Sequence, residues 1–157
     1  MSGDRIFGGH LRVRVNGLII SDSRLLLVEI ASPSSGKIFW MPPGGGVGFG
    51  ETLKDALIRE IDEETGLQIE PVKLRYVTEY IRHPYHAVEM YYSCRITGGQ
   101  TVMGYDPELE PDRQIIKNIR WADLTDLGDM HLYPEFLKTR SVEDISDVNG
   151  ETLFIES

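Results

Sequence analysis

The sequence contains very little cysteine and no long apolar run. Its 157 residues include one cysteine, Cys94, so no disulfide can form within the chain and we expect a reducing compartment, the cytoplasm. The longest apolar runs, Leu18–Ile20 and Leu25–Val28, are far shorter than the roughly 20 residues that cross a bilayer. Met1–Gly9 lacks the features of a signal peptide. The short apolar runs predict that the protein does not bind a membrane, and the length of the chain predicts one domain over residues 1–157.

Positive charge is also scarce. The chain has 16 basic and 25 acidic residues, for a net charge of −9, and no basic patch interrupts this excess. A nucleic-acid-binding surface is therefore not expected. An acidic protein can still bind a polyphosphate when metal ions supply the positive charge.

Short alternating segments predict a mixed β-sheet. The turn Ser21–Ser23 separates two strands, and a third short strand leads into a glycine-rich turn. Later, two long strands flank Arg82–His86, and Pro134–Thr139 is predicted to open a late helix. The predicted strands are Leu11–Ile20, Leu25–Ala31, Lys37–Met41, Gln68–Tyr80, Ala87–Ile96 and Ile115–Ala122, with a possible terminal strand within Val148–Ile155. Strands around a central helix predict an α/β/α sandwich about a mixed β-sheet.

The central helix is predicted over Leu53–Thr65. Thr52 is a suitable N-cap, and Gly66 follows the last helical residue, where a left-handed C-cap favours glycine. Projection at about 100° per residue places the apolar side chains on one stripe, which consists of Leu53, Ala56, Leu57 and Ile61.

Three acids of this helix lie on or beside the apolar stripe. Glu60 and Glu64 fall within it or at its edge, and Glu63 lies next to it. A carboxylate that faces the protein must be paired, protonated or bound to a metal. Converging oxygen ligands suit Mg²⁺ or Mn²⁺, whereas the alternative is a solvated acidic helix face.

A glycine-dense turn, Pro42–Gly46, precedes the helix. Its prolines and glycines exclude a helix or a central strand. Glycines let the backbone approach a ligand closely. A glycine turn followed at fixed spacing by a carboxylate-bearing helix is stronger evidence for a metal or ligand site than the turn or the helix alone.

At these residues the chain resembles the MutT/Nudix family of pyrophosphohydrolases. The family signature is Gly, five residues, Glu, seven residues, then Arg-Glu-apolar-any-Glu-Glu-any-Gly-apolar. Every position is matched, by Gly45, Glu51, Arg59, Glu60, Ile61, Glu63, Glu64, Gly66 and Leu67. The resemblance implies the family's α/β fold and cleavage of a nucleoside diphosphate linked to another group, with Mg²⁺ or Mn²⁺ as cofactor.

The resemblance also implies roles for individual residues. Glu60 and Glu64 would coordinate the metal, together with the backbone carbonyl of Gly44. Glu63 would be a third ligand or would orient the attacking water. Glu51 would be an additional or outer ligand, and Arg59 would hold the acids in place by pairing with Glu51.

The general base in many relatives lies in a loop before a late tryptophan-containing strand. Glu108 and Glu110 occupy that loop here, and Glu63 is the remaining candidate. We expect substrate contacts from the segment after the box, namely Tyr80, Arg82, His83 and Tyr85. Pro84 favours ADP-ribose and Tyr85 favours dinucleoside polyphosphates, so the substrate stays open between these and nucleoside triphosphates.

Two other interpretations remain. Some domains of this family bind nucleotide ligands without cleaving them, although those have usually lost box acids. A Ca²⁺-binding scaffold would require spaced Asp or Asn ligands that the glycine turn lacks. Homodimerisation is possible through the tails, residues 1–9 and 140–157.

Overall fold

The computed structural model describes residues 8–32, 35–102 and 116–156. Within them, eight strands are joined in one mixed sheet. The strands are β1 (Leu11–Ser21), β2 (Arg24–Ala31), β3 (Ile38–Met41), β4 (Gly44–Gly46), β5 (Leu67–Arg82), β6 (Tyr85–Gly99), β7 (Ile116–Asp123) and β8 (Leu153–Ile155). The helices are α1 (Leu53–Thr65) and α2 (Val142–Ser146), with 3₁₀ turns at Leu124–Asp129 and Glu135–Lys138.

The sheet is ordered β3-β2-β1-β6-β5-β8. Strands β1 and β6 run parallel, as do β5 and β8, whereas the other pairs are antiparallel. Strand β4 pairs with β1, and β7 pairs with β2. The predicted mixed sheet with a helix packed on it is confirmed, and most strand ends lie within two residues of their predicted positions.

The two faces of β1 pack against different layers. Val15 and Ile19 join the buried face of α1, where Leu57 and Ile61 are fully buried. Leu18 points to the other face and packs with buried side chains of the 3₁₀ turns and α2. This alternation follows from the two-residue period of a strand. Side chains at successive positions of β1 therefore lie on opposite faces of the sheet and belong to two different core clusters.

Local signals mark both ends of helix α1. The Thr52 side chain accepts a hydrogen bond from the Asp55 amide at 3.1 Å. Gly66 ends the helix in the left-handed conformation, with φ of 77°. The helix therefore begins and ends where we predicted it would.

Two predictions about the secondary structure were wrong. Gly44–Gly46 forms a three-residue strand on β1 rather than only a turn, because its register with Arg14–Asn16 is set by a distant part of the chain. The late helix predicted from Pro134 is a single 3₁₀ turn. The short α-helix begins later, where the Ser141 side chain caps the Asp144 amide at 3.1 Å.

The C-terminal segment lies against the sheet. Strand β8 adds parallel to β5, and Ile145 of α2 is buried in the core. Cys94 is buried as well, in agreement with its predicted core position. Within the described ranges, no helix combines the length and the apolar character that crossing a membrane requires.

Candidate active site

A tight turn connects the glycine strand to α1. The Glu51 amide donates to the Gly48 carbonyl at 3.0 Å, and the Gly48 amide donates to Glu51 Oε1 at 3.0 Å. Gly50 has φ of 83° inside this turn, which a residue with a Cβ rarely adopts. The turn therefore fixes the position of the Glu51 carboxylate before the helix begins.

Arg59 is the hub of the acidic cluster. Its Nε and Nη2 donate to the two oxygens of Glu51 at 2.8 and 2.9 Å, which is a bidentate pair. Its Nη1 donates to Glu60 at 2.9 Å and to Glu63 at 3.3 Å. These hydrogen bonds from Arg59, with that from the Gly48 amide, lower the pKa of Glu51 to about 2. One guanidinium thus orders three carboxylates at neutral pH.

Glu60 is the most enclosed of these three acids. Its side chain is 16% exposed, compared with 31% for Glu63 and 23% for Glu51. Burial raises the pKa of Glu60, and the Arg59 hydrogen bond opposes that increase only in part. A cation at this position would stabilise the ionised form.

Glu64 is attached directly to the glycine strand. Its Oε2 accepts a hydrogen bond from the Gly44 amide at 3.0 Å. Gly45 lies beside Glu60, since a Cβ built on Gly45 would be 2.3 Å from the Glu60 carboxylate. Both acids therefore point at β4 because glycine leaves room for them.

The donor set suits a hard divalent cation. Among the residues that the structure describes, no three His, Cys, Asp or Glu side chains converge in a ready-made metal cluster, and Arg59 donates to Glu60 and Glu63. The chemistry nevertheless fits Mg²⁺ or Mn²⁺, which favour carboxylate and carbonyl oxygens. Glu60 and Glu64 are the residues that would hold the ion.

Adding one methyl group at Gly45 should damage this site without unfolding the protein. Gly45→Ala places its Cβ against the mobile end of Glu60, so the carboxylate moves while the backbone stays. We expect kcat/KM to fall by up to about a hundredfold, the cost of a misplacement near 1 Å, with little change in melting temperature. Gly128→Ala is the matched control, because its Cβ would meet nothing within 4 Å. Equal activity of both variants would contradict the close packing of Glu60 on Gly45.

The predicted substrate contacts lie on the β5–β6 hairpin, away from the acids in sequence. Tyr80 is half-buried, and its ring meets that of Tyr133 edge-on, at 5.7 Å between centroids. Arg82 pairs with Tyr85 across the hairpin, on the same sheet face as Tyr80. His83 is exposed at the hairpin turn. The proposed bases Glu108 and Glu110 lie outside the described residues.

Sequence reasoning missed a group of polar residues on the sheet face opposite α1. Asn16 and Tyr91 are completely buried, and Glu89 is 4% exposed. The available signal was the alternation in β1, where Arg12, Arg14 and Asn16 occupy every second position between apolar residues. The alternation in β1 alone did not indicate that the polar residue Asn16 on this face is buried inside the protein.

Comparison with known proteins identifies the family of the chain. The family model described as the NUDIX domain matches residues 10–141. An ADP-ribose pyrophosphatase from Methanocaldococcus jannaschii is 36% identical over 100 residues, which cover 62% of this chain and 58% of that protein. Two further curated relatives are matched over 26% and 45% of their lengths.

Solved structures share the fold. A MutT NUDIX hydrolase from Burkholderia pseudomallei has a TM-score of 0.60 at 30% identity, covering 73% of this chain and 84% of that one. A MutT protein from Methanosarcina mazei has a TM-score of 0.68 at 20% identity, covering 90% and 96%. With the complete signature and the family model extending over most of its length, the chain belongs to the NUDIX domain family.

Proposed function

We propose that this protein is a metal-dependent pyrophosphohydrolase that cleaves a nucleoside diphosphate linked to a second group. The observation that carries the proposal is the packing of Glu60 and Glu64 on the glycine strand, with Arg59 ordering the acids around them. Mg²⁺ or Mn²⁺ held by these carboxylates would supply positive charge to the phosphate oxygens of the substrate.

The reaction consumes one water molecule. The water oxygen forms a bond to one phosphorus as the bridging P–O bond of the pyrophosphate breaks. The proton lost by the water passes first to a carboxylate, and the leaving phosphate oxygen becomes protonated or stays ionised according to pH. The products are a nucleoside monophosphate and the phosphate of the second group.

Residues of the chain have separate tasks in this reaction. Glu63 is the described acid best suited to take the proton, because it is the most exposed of the three carboxylates that contact Arg59. Glu51 and Arg59 hold each other in a bidentate pair and position the remaining acids. Glu108 and Glu110, which precede β7 in the sequence, are alternative bases.

ADP-ribose is the first substrate to test. The Methanocaldococcus relative carries the name ADP-ribose pyrophosphatase, and Pro84 of this chain is the residue that favoured that class. Dinucleoside polyphosphates, nucleotide sugars and nucleoside triphosphates are the competing classes.

The decisive experiment is a turnover panel over these four classes, with and without Mg²⁺ or Mn²⁺. Glu64→Gln is the control variant, because its amide oxygen can still accept from the Gly44 amide while the negative charge is lost. We expect metal-dependent release of a nucleoside monophosphate from one class, and at least about a hundredfold loss in the variant. If both proteins bind a nucleotide ligand but neither cleaves it, the proposed enzymatic function is wrong and the protein is a ligand-sensing domain.

A further inference from the structure

Two Asn-Gly pairs occur in the chain, Asn16-Gly17 and Asn149-Gly150, and the fold places them in opposite environments. Asn16 lies in β1 with no exposed surface, and the Gly17 amide donates to the Pro43 carbonyl at 2.8 Å. Asn149 is exposed in the turn between α2 and β8. An asparagine that precedes glycine is chemically labile, because glycine lets its backbone nitrogen approach the carboxamide closely. The two pairs should therefore react at different rates in the folded protein.

The exposed turn leaves the reacting atoms of the second pair accessible. The Gly150 amide donates to the Asp147 carbonyl at 3.2 Å, and the Asn149 amide donates to Asp147 Oδ1 at 3.1 Å. Both hydrogen bonds lie within one turn, so they can open without unfolding of the sheet. When the first of them is open, the Gly150 nitrogen is free to attack the Asn149 side chain.

Packing on Arg75 explains why glycine follows Asn149. The φ of Gly150 lies outside the left-handed region, so the backbone conformation does not itself require glycine. A Cβ built on Gly150 would lie 2.4 to 2.8 Å from atoms of the Arg75 guanidinium. That group cannot move aside without breaking its hydrogen bonds to three backbone carbonyls of the C-terminal segment. The labile pair is therefore part of the attachment of this segment to β5.

We propose that Asn149 is a site of spontaneous deamidation and that its isoaspartyl product loosens the C-terminal segment, residues 141–156. The Gly150 nitrogen forms a bond to Asn149 Cγ and loses its proton to water, while the carboxamide C–N bond breaks and ammonia leaves. Water then opens the resulting cyclic imide at either of its carbonyl carbons. One route gives aspartate, and the other gives isoaspartate, in which the main chain runs through the former side-chain carbonyl.

Isoaspartate lengthens the main chain by a methylene group beside Arg75. The insertion displaces Gly150, whose contact with the Arg75 guanidinium leaves no room for a Cβ. The carbonyls that Arg75 binds lie on both sides of the turn, so a shift of one side separates them from their common donor. The Asn149 carbonyl, which accepts from Lys73 Nζ at 3.4 Å, becomes a free carboxylate. Aspartate leaves the main chain unaltered, so isoaspartate alone should loosen the segment.

The test follows both asparagines during prolonged incubation of the purified protein at mildly alkaline pH, with and without denaturant. Peptide mapping by mass spectrometry measures aspartate and isoaspartate at each position. In denaturant we expect the two pairs to react at similar rates. In the folded protein the rate at Asn149 should stay within about tenfold of the denatured rate, whereas the rate at Asn16 should fall at least about a hundredfold, because Asn16 reacts only after global unfolding.

Hydrogen exchange then measures the effect on the C-terminal segment. The deamidated fraction carries an additional negative charge, so anion exchange isolates it from the parent protein. Asn149→Asp is the matched control, because it has the same charge and an unaltered main chain. Amides of residues 141–156 should exchange several-fold faster in the isolated fraction than in Asn149→Asp, and amides of β1 should exchange equally in both.

Each outcome supports or overturns the proposal. Asn149→Gln keeps the carboxamide on a longer side chain that closes the ring far more slowly, so conversion that persists in this variant would overturn the assignment to Asn149. Equal rates at Asn16 and Asn149 in the folded protein, or an intact Asn149 when the denatured chain has reacted, would also overturn it. Identical exchange in the isolated fraction and in Asn149→Asp would overturn the loosening of the segment.

Discussion

Replacing Glu60 by glutamine is expected to lower kcat/KM about a thousandfold and to leave the metal-free protein at least as stable as the wild type. The loss is expected because the substitution removes one negative ligand of the ion that would neutralise the phosphates. Charge stabilisation by such an ion contributes several kcal/mol in the transition state. The stability follows from burial, because the pKa of Glu60 is raised and its ionised form is therefore disfavoured in the folded protein.

The measurements are steady-state turnover, calorimetric Mn²⁺ binding and denaturant unfolding without metal. Asp62→Asn is the control, because it removes the same charge two residues away from an exposed position on α1. We expect Mn²⁺ affinity to fall in Glu60→Gln and to stay constant in Asp62→Asn. A Glu60→Gln variant with wild-type turnover and Mn²⁺ affinity would remove Glu60 from the ligand set.

Replacing Arg75 by methionine should lower the free energy of unfolding by about 3 kcal/mol, within the range for breaking a buried charge pair. The Arg75 side chain is 1% exposed and donates to the carbonyls of Asp144, Asp147 and Glu151 at 2.9, 2.6 and 3.2 Å. It also donates to Asp144 Oδ1 at 3.0 Å. Methionine fills similar space but removes the Arg75 donor from all four acceptors, and only the carbonyls of Asp144 and Asp147 keep a backbone amide as a second donor.

The effect should concentrate in the C-terminal segment. Because Arg75 joins three carbonyls and one carboxylate of this segment to β5, backbone amides of residues 141–156 should exchange hydrogen faster in Arg75→Met than those of β1. Arg24→Met is the control, since the Arg24 side chain is 47% exposed and its contact to Asp22 is 4.0 Å long. A loss below about 1 kcal/mol, or uniform acceleration of exchange, would show that apolar packing alone holds the segment.

Helix α1 and its acids could be predicted from the sequence because their signals are local. Thr52 and Gly66 mark the two ends within a few residues of the helix itself. The spacing of Glu60, Ile61 and Glu64 assigns each to a face by helical geometry. The predicted pairing of Arg59 with Glu51 needs only a turn of fixed length between them.

The strand β4 could not be predicted in the same way. Pro42–Gly46 has the composition of a turn, and its pairing with Arg14–Asn16 depends on residues about thirty positions earlier in the chain. The same limit applies to the late helix predicted at Pro134, which is one 3₁₀ turn over Glu135–Lys138 with Leu137 buried in the core. Secondary-structure propensity is a property of one segment, whereas strand pairing and burial depend on contacts with residues elsewhere in the chain.

The chain's local patterns therefore specified the family, the helix and the carboxylates that face the glycine strand. Folding in three dimensions added what no short pattern contains. It placed Arg75 of β5 under the C-terminal segment, and it brought Asn16, Glu89 and Tyr133 from three distant segments to one buried face. Helical periodicity and capping act within about one turn, but burial of a polar side chain results from contacts between segments that are remote in sequence.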